Sequence, residues 1–138
     1  MTAQADIDRH AVIAYGRSIG GGGAGLLAAN RELAALVLES TFSSLPGLIA
    51  EKGFPRFLVK DRFETEAIVS TITAPVFVYH GTRDSIMPVE HGEALARAAQ
   101  TGKLVLADCG HNDCVRPWKA AIEFLQARGI GPAVTNSQ

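Results

Sequence analysis

The stretch Ala11-Val12-Ile13-Ala14-Tyr15-Gly16-Arg17-Ser18-Ile19-Gly20 constrains this chain more than any other. Its first half, a short β-branched and aromatic run, reads as a buried strand. It closes in Gly-x-Ser-x-Gly and passes at once into Gly21-Gly22-Gly23-Ala24-Gly25-Leu26-Leu27-Ala28-Ala29, a small-residue run that reads as a helix. A strand that turns straight into a helix needs an elbow so tight that its central residue sits in strained backbone conformation with its side chain exposed. Gly16 and Gly20 suit that elbow because a Cβ at either is expected to collide with neighbouring backbone. Ser18 then stands above the sheet, with Ile19 N–H beside it at the positive end of the new helix. Four successive glycines also invite a phosphate-binding reading, but no Gly-Lys-Ser/Thr ending follows, and no Gly-x-Gly-x-x-Gly lies in register with a ribose-binding acid.

The remaining elements follow from apolar runs and their punctuation. Strands are expected at Ala11 to Tyr15, Leu33 to Glu39, Pro75 to His80 and Lys103 to Ala107. The first is apolar without alternation, as a strand covered on both faces is expected to be. Helices are expected from about Gly20 to Asn30, Thr65 to Ile72, Val89 to Gln100 (closed by Gly102) and Val115 to Arg128. The last is expected to bury Trp118, Ala121, Ile122 and Leu125 on one face. Between them, Ser43-Ser44-Leu45-Pro46 signals a helix start with a serine cap and proline in the first turn. The excursion 40–73 carries Phe42, Leu48, Ile49, Phe54, Phe57, Leu58 and Phe63, enough apolar surface either to cover the sheet or to form a small lid. Strands alternating with helices imply parallel βαβ units, so the reading is one α/β domain over 1–138, with about four parallel strands and helices on both faces.

Size and charge narrow the function. The chain has 138 residues, 47% of them hydrophobic, with 13 basic against 14 acidic side chains and no strong run of either sign. Nucleic-acid binding through a basic face is therefore unsupported. No apolar stretch approaches bilayer-spanning length, and Met1-Thr2-Ala3-Gln4-Ala5-Asp6 lacks the regions of a secretion signal, so a cytoplasmic protein is expected. Cys109, His111 and Cys114 offer Cys-x-His-x-x-Cys, but a closed zinc site needs a fourth ligand and no second pair lies near. No metal and no cofactor are expected, and the cysteines read as ordinary thiols, with a bridge across their loop as the alternative.

In a parallel sheet, ligands gather outside the carboxyl ends of the strands. Ser18, Asp84 and His111 each fall just past the carboxyl end of a different strand. A serine hydroxyl needs a histidine to take its proton and a carboxylate to hold that histidine in the right tautomer. His10 precedes the first strand, His80 ends a strand and His91 lies inside a helix, which leaves His111, in a glycine-flanked loop. Asp84 competes for the acid with Glu39, at the end of the second strand, and with Asp113, better read as a loop-stabilising acceptor. Arg83 reads as solvated or ion-paired.

Tyr-Gly-Arg-Ser-Ile-Gly-Gly, Leu-Glu-Ser-Thr-Phe, Pro-Val-Phe-Val-Tyr-His-Gly-Thr-Arg-Asp-x-x-x-Pro and Gly-His-Asn-Asp resemble the α/β-hydrolase superfamily. The nearest branch is the serine-peptidase and thioesterase-like group with Gly-Arg-Ser-x-Gly. The resemblance runs from about Ile7 to Leu125 and matches only the C-terminal half of the usual fold, a truncated α/β-hydrolase fold. It implies Ser18 as nucleophile, Asp84 as acid, His111 as base and Ile19 N–H as one oxyanion donor, without a cofactor. The early strands and the loop carrying the other oxyanion donor have no counterpart here. The strand Ala11 to Tyr15 would then be a bare apolar edge that seeks a partner, and a homo-oligomer is expected through it. The implied activity is a carboxylesterase on a small-molecule, short-chain acyl ester. A peptidase- or thioesterase-like hydrolase and an inactive half-fold acting as an interaction module are the alternatives.

Overall fold

The computed structural model describes residues 11–55, 57, 60 and 62–131. Its elements run β1 (Ile13–Arg17), α1 (Gly20–Asn30), β2 (Ala35–Glu39), α2 (Leu45–Glu51), α3 (Thr65–Thr71), β3 (Val76–Gly81), α4 (Val89–Ala98), β4 (Gly102–Ala107) and α5 (Trp118–Gln126). The strands pair in parallel in the order β1-β2-β3-β4. Each crossover returns the chain to the same end of the sheet, so all four carboxyl ends share one rim. The register sets Gly16 against Leu38, Arg17 against Glu39, Glu39 against Tyr79 and Gly81 against Ala107.

Successive side chains of the central strands point to opposite faces. On one face Ala14, Leu36, Leu38, Val76 and Val78 pack with Ala24 and Ala28 of α1, Val69 of α3 and Leu95 of α4. On the other, Ala35, Val37, Phe77 and Tyr79 meet Ala121, Phe124 and Leu125 of α5. The expected α/β architecture of four parallel strands with helices on both faces is what forms.

Boundaries moved where tertiary contacts outweigh local pattern. The first strand is Ile13–Arg17 rather than Ala11 to Tyr15, because the ladder with β2 extends to the Arg17–Glu39 pair. Gly102 opens β4 instead of closing the preceding helix. A Cβ there would meet the Ala96 carbonyl oxygen and come within 3.2 Å of Ala99 Cβ. The buried face of α5 is Ala121, Phe124 and Leu125, whereas Trp118 and Ile122, expected inside, are about half exposed. They lie on the flank toward β1, where the Trp118 ring stands 6.0 Å from that of Tyr15.

Within the excursion 40–73, Val69 and Ile72 join the core on one face of the sheet. Ser44 caps α2 by accepting from Gly47 N–H. Phe42, Leu48 and Met87 form a small third cluster with Leu45 and Phe63. Phe54 and Phe57 are exposed. Leu58, Ile7 and His10 fall outside the described residues.

Candidate active site

The elbow is built from backbone geometry. Ser18 has φ of 52°, a left-handed conformation that costs a non-glycine residue roughly 1–3 kcal/mol and is held only where the surroundings enforce it. Two contacts enforce it: Ser18 N–H donates to Glu39 O at 2.9 Å, and Thr41 Oγ1 donates to Ser18 O at 2.6 Å. Gly16 is needed as expected, since a Cβ would lie 2.6 Å from Ala24 Cβ. Gly20 is not, because a Cβ there meets nothing within 4 Å. The steric demand falls on Gly21, whose Cβ would run into the Thr41 side chain, and on Gly22, 2.9 Å from the Phe63 ring. Ile19 N–H has no hydrogen-bond acceptor among the described residues.

His111 comes to this elbow on the loop after β4. Its Nε2 lies 3.1 Å from Ser18 Oγ, and its Nδ1 lies 2.7 Å from Asp84 Oδ2. A carboxylate oxygen only accepts, so the ring proton sits on Nδ1 and Nε2 presents a lone pair to the serine hydroxyl. Asp84 is aimed by its own turn, where Oδ1 accepts Ile86 N–H at 3.0 Å and Met87 N–H at 2.8 Å. Gly81 lets the histidine loop approach: a Cβ there would come within 2.8 Å of the Gly110 carbonyl oxygen.

Glu39 does not face His111. It is 3% exposed and lies between two guanidinium groups. Its Oε1 accepts Arg17 Nε at 3.2 Å, and its Oε2 accepts Arg116 Nε at 2.8 Å and the Tyr15 hydroxyl. Burial and the adjacent Glu39 carboxylate push the Tyr15 phenol up, so it stays a donor. Arg17 Nη2 also donates to His111 O at 2.7 Å and to Asn112 Oδ1 at 2.9 Å. Neither the role of Arg17 nor that of Asn112 carries a sequence signal, because both depend on a contact between residues nearly a hundred positions apart.

The other candidates find plainer places. Asp113 Oδ1 accepts Gly110 N–H at 2.6 Å, the loop-stabilising role expected of it. Arg83 pairs on the surface with Asp108 at 2.6 Å. Cys109 and Cys114 are bridged, with Cα atoms 5.2 Å apart, rather than free thiols. His80 is fully buried, holds the Met87 carbonyl through Nε2 at 2.7 Å, and has its pKa lowered chiefly by burial. In α4, His91 Nδ1 takes the Ser43 N–H at 3.2 Å and the Ser43 hydroxyl at 2.9 Å, while Nε2 donates to Glu51 at 3.2 Å. This second Ser-His-Glu set turns its serine backbone N–H into the ring, so it ties the loop after β2 to α4 instead of leaving a donor for a ligand. Two open grooves, of about 660 and 380 Å³, are lined by the turns at Ala28–Ala34 and Thr71–Pro75 and by Ser43, Glu51, Pro88, Glu90 and His91; Ser18 lines neither. Among the described residues no group of three or more His, Cys, Asp or Glu side chains could hold a metal ion, and no helix is long and apolar enough to cross a membrane.

No family model matches the chain. An uncharacterized protein of Mycobacterium tuberculosis is 36% identical over 118 residues, covering 82% of this chain and 42% of that protein. The human alpha/beta hydrolase domain-containing protein 17B is 37% identical over 105 residues, 74% of this chain and 36% of its own length. The chain thus spans about two fifths of the curated relatives it matches. Among solved structures, an acetyl xylan esterase from Paenibacillus sp. R4 superposes with a TM-score of 0.72 at 18% identity, over 88% of this chain and 46% of that one. Sequence, topology and elbow agree: the chain belongs to the α/β-hydrolase superfamily and carries part of its fold.

Proposed function

We propose that this chain is a serine esterase cleaving short-chain acyl esters through an acyl-enzyme. The observation that carries the reading is the unbroken path from Ser18 Oγ through the His111 ring to Asp84 Oδ2, 3.1 and 2.7 Å long in its two steps. In this mechanism His111 Nε2 takes the Ser18 proton as Oγ attacks the ester carbonyl. Asp84 holds the ring tautomer and stabilises the imidazolium. Ile19 N–H, at the amino end of α1, stabilises the oxyanion. Collapse of the tetrahedral intermediate expels the alcohol, which receives the proton from His111. Water, activated by the same ring, then attacks the acyl-serine and releases the acid and Ser18. No metal or other cofactor takes part.

Short acyl groups suit this reading because an excursion as short as 40–73 leaves little room to recognise a large acyl group. An amide demands better leaving-group protonation and a full set of oxyanion donors. Only one donor is identified here, and each missing donor costs about a hundredfold to a thousandfold in turnover. In this reading the chain acts as a single domain, and the exposed Phe54 and Phe57 are the part of 40–73 available as a lid. Two copies associate through the outer edge of β1, where Val12, Ile13 and Tyr15 are each about two fifths exposed, and the partner copy or local backbone provides the second donor. The cytoplasm is the proposed compartment, although the bridge between Cys109 and Cys114 pulls the other way, since a reducing cytosol keeps such pairs open.

The test is hydrolysis of p-nitrophenyl acetate and butyrate by the wild type, Ser18→Ala and Asp84→Asn. Wild type is expected to turn over, Ser18→Ala to fall to background, and Asp84→Asn to lose about a thousandfold or more. Equal rates in wild type and Ser18→Ala would end the esterase reading. No turnover, with Ser18 inert to a fluorophosphonate, would leave an inactive half-fold that serves as an interaction module.

A further inference from the structure

The residue just before the nucleophile in sequence also holds the loop of the base. Arg17 closes β1 and sits opposite Glu39 in the ladder. Its guanidinium works as a fork: Nε meets Glu39 Oε1 at 3.2 Å, and Nη2 reaches across to the His111 carbonyl at 2.7 Å and Asn112 Oδ1 at 2.9 Å. Glu39 cannot swing away, because its carboxylate is buried and its second oxygen is held by Arg116 at 2.8 Å and by the Tyr15 hydroxyl. A rigid acid therefore aims a planar, multi-donor cation, a task the single ammonium of a lysine cannot match.

We propose that Arg17 is a positioning residue for the Ser18–His111 pair, with Glu39 as the anchor that aims it. The inference rests on the esterase reading for its kinetic consequence, though not for its structural one. Asp84 sets how the His111 ring is turned; it does not set where the backbone of residue 111 lies. Of the contacts that fasten this loop, Arg17 is the one that ties the His111 carbonyl itself to the end of β1, next to Ser18. A shift of about 1 Å in a reacting group can cost on the order of a hundredfold in rate, so the contact controls kcat more than substrate affinity.

The experiment compares Arg17→Ala, Arg17→Lys, Glu39→Gln and Arg116→Met with wild type. It reads kcat and KM on p-nitrophenyl acetate, the downfield proton resonance of His111 Nδ1–H, and the response to tens of millimolar guanidinium ion. Expected for Arg17→Ala is a fall of about ten- to a hundredfold in kcat with KM within about threefold. Its Nδ1–H resonance should be broadened or lost, and added guanidinium should recover several-fold in rate without affecting wild type. Glu39→Gln should move the same way and less far. Arg116→Met, which frees one oxygen of Glu39 but leaves the Arg17–Glu39 contact in place, should move the same way and less far than Glu39→Gln. Wild-type kcat with an intact resonance in Arg17→Ala would overturn the proposal. If Arg17→Ala does not fold, Arg17→Lys decides: an intermediate kcat with a weakened resonance supports positioning, and wild-type values reduce Arg17 to a stabilising charge. If wild type and Ser18→Ala hydrolyse the ester equally, the esterase reading fails alone. The resonance then still tests Arg17, its loss in Arg17→Ala supporting the proposal and its persistence overturning it.

Discussion

A Cβ on Gly21 would overlap the Thr41 side chain, and the same Thr41 hydroxyl holds Ser18 O at 2.6 Å. Gly21 therefore protects the contact that keeps the elbow in its left-handed conformation. Gly21→Ala should cost about 1–3 kcal/mol through overpacking, less a fraction regained from helix propensity. The melting temperature is then expected to fall by about 5 °C. Gly20→Ala, with open space around its Cβ, should leave the melting temperature unchanged or raise it slightly. Thermal melts of the two variants check both, and equal destabilisation would refute the assignment. The pentapeptide pattern points to Gly20. The packing of α1 against the loop after β2 moves the constraint one residue on.

The element that decides the chemistry is the loop from Asp108 to Pro117, which has no regular structure of its own to position His111. It is fastened instead at separate points: Asp113 to Gly110 N–H, Tyr79 Oη to Val115 O at 2.7 Å, Arg17 to His111 O, and the Cys109–Cys114 bridge. Closing a loop of this length, with the cysteines 5 positions apart, is worth about 2 kcal/mol on a chain-entropy basis. Reduction with dithiothreitol should therefore lower the melting temperature by about 5 °C. Cys109→Ser/Cys114→Ser should show the same fall without reductant. A thiol titration before reduction should label neither cysteine. Unchanged melting on reduction would mean that the other fastenings hold the loop alone.

At the scale of the molecule the described sheet has two edges, β1 and β4, and β1 pairs with β2 alone. Ile13 and Tyr15 face the α5 side with Trp118 and Ile122, so an apolar band of half-exposed residues borders an unpaired strand edge, an arrangement that favours association. Light scattering at micromolar concentration should find more than one copy per particle, and Ile13→Lys, which charges the edge, should shift the population to monomer. A monodisperse wild-type monomer would exclude self-association. The order of elements, the parallel sheet and the rim shared by Ser18, Asp84 and His111 were legible in the sequence. The two central strands, β2 and β3, are buried on both faces and read as apolar runs, whereas β1 and β4 are half-exposed; a parallel crossover puts every carboxyl end on one side. The sequence left the cysteines open between free thiols and a bridge, while the burial of Phe124 in place of Trp118 and the turning of Glu39 toward Arg17 were not legible. Those two rest on packing between segments that sequence spacing does not relate. The sequence by itself determined which residues could reach the rim. Only the tertiary structure decided that Asp84, and not Glu39, faces the imidazole, because strand register and loop path, rather than residue type, set which carboxylate lies within hydrogen-bond distance.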